Sequence, residues 1–151
     1  MQPIFLAFLG VIITLAVSGA GSAYGVTIAA KSAIGAMKKT PENFGTFMIL
    51  CAPPATNGLY GFLGYFMLSD YLTADITMAT AAAIFAACTA LGIVNYASAI
   101  NQGQASANAM AAIASGHDIF GKSIVLIVLA EMYAIIAVAA LFLIGLTLPL
   151  V

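Results

Sequence analysis

Glu131 is the only charged side chain in the apolar run from Ser123 to Val151. Such a carboxylate is rare in a soluble core, and in a bilayer it costs roughly 2.5 to 3.5 kcal/mol on insertion scales. It therefore marks an ion or proton site. Two other apolar stretches also carry polar groups. Pro53-Pro54-Ala55-Thr56-Asn57-Gly58-Leu59-Tyr60-Gly61 holds two prolines, a hydroxyl, an amide and a phenol. On a helix, Pro53, Asn57 and Tyr60 share one face, with Thr56 beside them. The prolines remove backbone donors, so the helix bends and carbonyls one turn earlier lose partners. Further on, Asn95, Ser98, Gln102 and Ser106 recur at helical spacing. A helix facing only lipid would not carry that stripe.

The elements that must position these groups follow from the composition. Of 151 residues, 64% are hydrophobic and 6% are charged. A soluble domain has about 25% charged residues, and a nucleic-acid binder needs a dense basic surface, so both are excluded. Long uncharged runs give four spans of at least about 20 residues each, expected near Ile4–Ala30, Phe44–Ser69, Ile76–Gln102 (with the helix running on toward Ile113) and Ser123–Leu148. The fold class is an all-α membrane protein. Its start lacks a basic region and its first apolar run is too long for a signal sequence alone, so a secretory leader is not expected.

Small residues four apart, Ser18 with Ser22 and Gly21 with Gly25, predict close helix packing by the first span. A phosphate loop is excluded there, since no strand precedes it and no Gly-Lys-Ser/Thr follows. A polar loop is expected over Lys31–Asn43. Thr40-Pro41-Glu42 reads as a helix start, with Thr40 capping. Cys51 and Cys88 lie inside spans as packing residues, and His117 lies in a polar loop.

All four lysines (Lys31, Lys38, Lys39, Lys122) fall in the first and third connections, and Asp70 and Asp75 in the middle one. The positive-inside rule puts the lysine-bearing loops in the cytoplasm and both termini outside. At about 1.5 Å per helical residue, Glu131 lies roughly 16 Å from Phe120, Gln102 roughly 21 Å from Gly116 and Asn57 roughly 20 Å from Phe44. Each is then near the middle of a hydrocarbon core about 30 Å thick. If the three helices are neighbours, their polar groups meet at one level.

The chain also repeats itself. Pro41-Glu42-Asn43-Phe44-Gly45 opens the second span and His117-Asp118-Ile119-Phe120-Gly121 the fourth. This predicts two tandem helical hairpins, residues 1–72 and 73–151. Matching the Phe-Gly pairs sets Glu131 against Ala55, and matching the tyrosines sets it against Gly58. Either way one duplicated unit carries one carboxylate.

The duplicated hairpin, the small-residue first helix, Pro54-Ala55-Thr56-Asn57-Gly58-Leu59-Tyr60-Gly61-Phe62 and the lone Glu131 followed by Tyr133-Ala134-Ile135 resemble the proteolipid rotor subunit (K or c) of V-type rotary ATPases of bacteria and archaea. The match is especially close to the sodium-translocating bacterial members. The resemblance implies a homo-oligomeric ring turning in the lipid of a prokaryotic cell membrane. It implies a stator subunit whose arginine meets the unloaded carboxylate, and a central-stalk adaptor. ATP chemistry would belong to partners, so this chain is expected to be no enzyme. Carried over residue by residue, the family's ion ligands fall on Pro53 (backbone oxygen), Thr56, Asn57, Gln102 and Glu131, and its carboxylate-bonding tyrosine on Tyr60. Asn57 departs from the pattern, standing one methylene short of the family's Gln. A hard cation wants several oxygen ligands, whereas a proton site needs only the carboxyl group in an apolar setting. The polar set exceeds the second need, so Na+ is the expected cargo and H+ the alternative. Two other classes fit less well. A small four-helix exporter of cations would resemble this chain but carries its Glu in the first helix, where this chain has no acid. A purely structural membrane scaffold gives Glu131 no role.

Overall fold

The computed structural model describes residues 2–149, and its regular structure is helical throughout. Met1, Leu150 and Val151, at the outer ends of the two expected hairpins, lie outside the described residues. The described residues form five α-helices: α1 (Pro3–Met37), α2 (Phe44–Cys51), α3 (Pro53–Leu68), α4 (Met78–Ile113) and α5 (Phe120–Thr147). Short 3₁₀ turns at Pro41–Asn43 and Ser69–Tyr71 join them. Three helices, α1, α4 and α5, are each long and apolar enough to cross a membrane.

The second expected span is divided. α2 has 8 residues and α3 has 16, and neither is long enough alone. Pro53 and Pro54 supply no backbone N–H, so the helical ladder breaks at Ala52. Ala52 keeps helical angles (φ −74°, ψ −41°), and the two pieces run on as one interrupted rod.

Two expectations near Lys31 need correction. α1 does not stop at the first lysine but runs to Met37. Lysine is a good helix former, and its charge marks where the chain meets water rather than where the helix stops. Thr40 does not cap the next helix. Its hydroxyl turns back to the Ala36 carbonyl at 3.4 Å, and the chain makes a 3₁₀ turn before α2. A capping side chain occurs instead at Thr77, whose Oγ1 accepts from the Thr80 N–H at 3.1 Å and starts α4.

α1 and α4 run parallel along their length. A Cβ built on Gly10 would sit 2.6 Å from Phe85 Cα, and one on Gly21 would sit 2.5 Å from Tyr96 Cα. Cβ atoms on Gly25 and Gly103 would collide with the Ala99 carbonyl oxygen and the Gly25 carbonyl oxygen respectively. Backbones this close are the packing that small residues allow in lipid. Replacing Gly25 by Val is expected to cost about 1–3 kcal/mol, as overpacked cores do. The loss would be read as a lower unfolding temperature in detergent, and an unchanged midpoint would contradict this contact.

The core is layered. At one end Val11, Leu68, Ile84, Leu91 and Leu141 pack together. At the lysine-bearing end Ala33, Phe47, Leu50, Met110 and Ile127 do the same. Between them lies a polar belt of fully buried Ser18, Asn57, Asn95 and Gln102.

A candidate ion-binding site in the polar belt

Three helices bring the expected residues to this belt. α3 supplies Pro53, Thr56, Asn57 and Tyr60, α4 supplies Gln102, and α5 supplies Glu131. Two side-chain pairs among these residues cross between helices. Tyr60 donates its phenol to Glu131 Oε1 at 2.6 Å, joining α3 to α5. Asn57 Nδ2 donates to Gln102 Oε1 at 2.7 Å, joining α3 to α4. Asn57 and Tyr60 are one helical turn apart, so the pairs stack roughly 4.5 Å apart along the axis. Thr56 donates its hydroxyl to the Pro53 carbonyl within α3 at 2.8 Å. That leaves lone pairs on both oxygens.

The shorter side chain of Asn57 still reaches Gln102. Both amides are fully buried, and Asn57 Oδ1 and Gln102 Nε2 have no partner. Turning both amides over keeps the hydrogen bond in the opposite sense and frees Gln102 Oε1 instead. In either orientation one amide oxygen is buried without a donor. Such an atom is rare in a packed interior and can accept a cation or a water; Asn95 Oδ1 in the same belt is likewise without a partner. Glu131 is half-buried, and among the described residues its second oxygen receives no hydrogen bond. Nor does any hydrogen bond there link the amide pair to the carboxylate. The electron-pair donors that these residues offer are oxygens, from carboxylate, amide, hydroxyl and carbonyl groups, the chemistry of a hard cation. No cluster of three His, Cys, Asp or Glu occurs among the described residues.

Two serines support the site in ways that the sequence alone did not assign. Ser22 of α1 accepts the Gly58 N–H at 2.6 Å and donates to the Pro54 carbonyl at 2.8 Å. Its hydroxyl thus bridges one rung of α3 beside Asn57. Ser98 of α4 donates to the Ala130 carbonyl at 3.0 Å, next to Glu131. Ser98 was visible as part of the polar stripe. Ser22 had no signal beyond its small size, because its role depends on the break in α3.

These two bonds are copies of each other. Ser22 and Ser98 are separated by the same interval as Pro54 and Ala130, and as Phe44-Gly45 and Phe120-Gly121. The ATP synthase C-subunit family matches the chain twice, over residues 9–68 and 85–144, again at that interval. It favours the Phe-Gly register, in which Glu131 stands against Ala55. The A-type ATP synthase subunit K of Methanocaldococcus jannaschii is 36% identical over 148 residues, which cover 96% of this chain and 64% of that protein. This chain thus spans a little under two thirds of that relative. The V-type sodium ATPase subunit K of Enterococcus hirae is 31% identical over 126 residues, covering 83% of this chain and 81% of that protein. Two matches to one family over most of the chain, with helices that carry the repeat in their hydrogen bonds, leave one assignment: this chain belongs to the ATP synthase C-subunit family.

Proposed function

We propose that this chain is the membrane rotor subunit of a V/A-type ATPase and carries Na+ on Glu131. The observation that carries the reading is the buried Asn57–Gln102 pair with its spare amide oxygen, one turn from the Tyr60–Glu131 pair. Carboxylate, amide, hydroxyl and the Pro53 carbonyl together offer a sodium ion an all-oxygen shell. A relative named for sodium transport supports the same cargo.

In this reading the rod of α2 and α3 is a fourth membrane crossing. The chain is two hairpins, residues 1–72 and 73–151, and identical copies close into a ring. The lysine-bearing connections face the cytoplasm of a prokaryotic cell and both termini face outward. An ionised Glu131 facing lipid is strongly disfavoured, so only loaded sites turn through the bilayer. A stator arginine would hold the unloaded carboxylate while ions enter and leave by separate aqueous paths. Tyr60 positions Glu131 by its hydrogen bond. ATP hydrolysis lies in other subunits, reached through a central-stalk adaptor, and the chain itself is no catalyst.

Proton carriage is the second reading. It is favoured by the direct Tyr60–Glu131 bond without a bond from Glu131 to either amide. Labelling Glu131 with a hydrophobic carbodiimide separates the two. Sodium at constant pH is expected to protect the carboxyl group. Labelling that answers to pH alone would assign protons instead.

A further inference from the structure

Ser22 does more than join two helices. In an unbroken α-helix the Gly58 N–H would bond the Pro54 carbonyl directly. The Ser22 hydroxyl stands on that rung. It accepts the Gly58 N–H at 2.6 Å, donates to the Pro54 carbonyl at 2.8 Å and lies 3.3 Å from the Ala55 carbonyl oxygen. A side chain that enters the ladder in this way sets the local direction of the helix.

The turn that it enters is the least tethered part of the rod. Pro53 and Pro54 offer no N–H, so neither can bond back to the Ile49 or Leu50 carbonyl. Tighter bonds span the break instead, from the Ala52 N–H to the Ile49 carbonyl at 3.3 Å and from the Ala55 N–H to the Ala52 carbonyl at 3.0 Å. The same turn carries the Pro53 carbonyl, Thr56 and Asn57, the three expected ligands on α3. Among the described residues, the hydrogen bonds that reach Pro54 to Gly58 from other helices come from Ser22 of α1 and Gln102 of α4. Gln102 is itself part of the site, so Ser22 is the anchor from outside it.

The second repeat shows what lets the hydroxyl in. Ser98 faces α5 as Ser22 faces α3, and it donates to the Ala130 carbonyl at 3.0 Å. Among the described residues it accepts no N–H. At the interval that relates the two serines, Gly58 corresponds to Ala134, and α5 is continuous and free of proline. A Cβ on Gly58 would stand 3.0 Å from Ser22 Oγ and 3.3 Å from Ser22 Cβ. The hydroxyl therefore reaches the N–H because position 58 has no side chain.

We propose that Ser22 and Gly58 form a positioning pair that sets the sodium preference of the site, by holding the Pro53 carbonyl, Thr56 and Asn57 where a cation needs them. The proposal rests on the sodium reading above and adds a residue of α1 to it. Sodium requires several oxygens at once, and this turn offers three. A proton requires Glu131, which α5 positions and to which Ser22 makes no bond. Loss of the pair weakens sodium and spares the proton.

Carbodiimide labelling of Glu131 in the intact complex tests the pair, with ring assembly checked by native mass. In Ser22→Ala the sodium concentration that half-protects Glu131 is expected to rise about tenfold, while the pH profile of labelling without sodium stays that of wild type. Gly58→Ala, which drives the hydroxyl out, is expected to give a similar rise. The double variant should match Ser22→Ala rather than multiply the two losses, because both remove one contact. Ser32→Ala removes another hydroxyl that α1 gives to a neighbouring helix, bonded to the Ala107 carbonyl at 2.9 Å, and should leave both readouts unchanged. If Gly58→Ala does not assemble, Ser22→Ala against Ser32→Ala decides. Wild-type sodium protection in Ser22→Ala would overturn the pair. So would an equal loss in Ser32→Ala, losses that multiply in the double variant, or a shifted pH profile without sodium. A wild-type complex that sodium does not protect would overturn the sodium reading, and this pair with it.

Discussion

Glu131→Gln is expected to leave the protein folded and assembled, and to abolish ion transport. The amide keeps the size of the side chain, and its Oε1 can still accept the Tyr60 phenol that now reaches Glu131 at 2.6 Å. Packing on α5 is therefore unchanged. What disappears is the charge. α5 holds no other acid, and the aligned position in the first repeat is Ala55, so nothing can take over. In the proposed rotor, a permanently neutral site would turn through lipid freely but exchange nothing. The measurement is sodium uptake into vesicles holding the complex, with assembly checked on the same preparation. Uptake at the wild-type rate would remove Glu131 from the mechanism.

Gln102→Ala has the second largest expected effect, and it depends on the cargo. It removes the acceptor of Asn57 Nδ2 inside a fully buried pair. An orphaned buried group costs about 1–3 kcal/mol. If Gln102 also contributes an oxygen to sodium, the loss appears as weaker binding, about tenfold for each 1.4 kcal/mol. The concentration of sodium that half-protects Glu131 from carbodiimide should rise at least about tenfold. A proton carrier would keep its pH profile, since Glu131 receives its hydrogen bond from Tyr60 rather than from Gln102. Unchanged sodium protection in this variant would take Gln102 out of the ion shell.

Much of the site was legible because polar residues are conspicuous against an apolar background. Gln102 and Asn95 stood out by spacing alone, and both are buried where that spacing put them. The prolines announced the break between α2 and α3. Contacts that depend on which helix lies beside which were not legible. Ser22 looked like any small residue, yet its hydroxyl bridges Gly58 and Pro54 across helices. The end of α1 was misread because charge locates water, whereas a helix stops only where its hydrogen bonds stop. Thr40 carried a capping signature and spent its hydroxyl on the preceding helix instead.

The lengths of α1 and α4 have a mechanical consequence. At 35 and 36 residues, each extends about 52–54 Å at 1.5 Å per residue, against a hydrocarbon layer of about 30 Å. They run parallel and are still joined near their ends by the Ser32–Ala107 bond. Some 20 Å of paired helix therefore stands in headgroups and water, much of it beyond Lys31. A collar of this kind is stiff in torsion where a loop is not. If the chain is the proposed rotor subunit, a soluble shaft gripping this collar would drive the membrane part with little lost motion, because the same two helices that flank the polar belt continue unbroken beyond it.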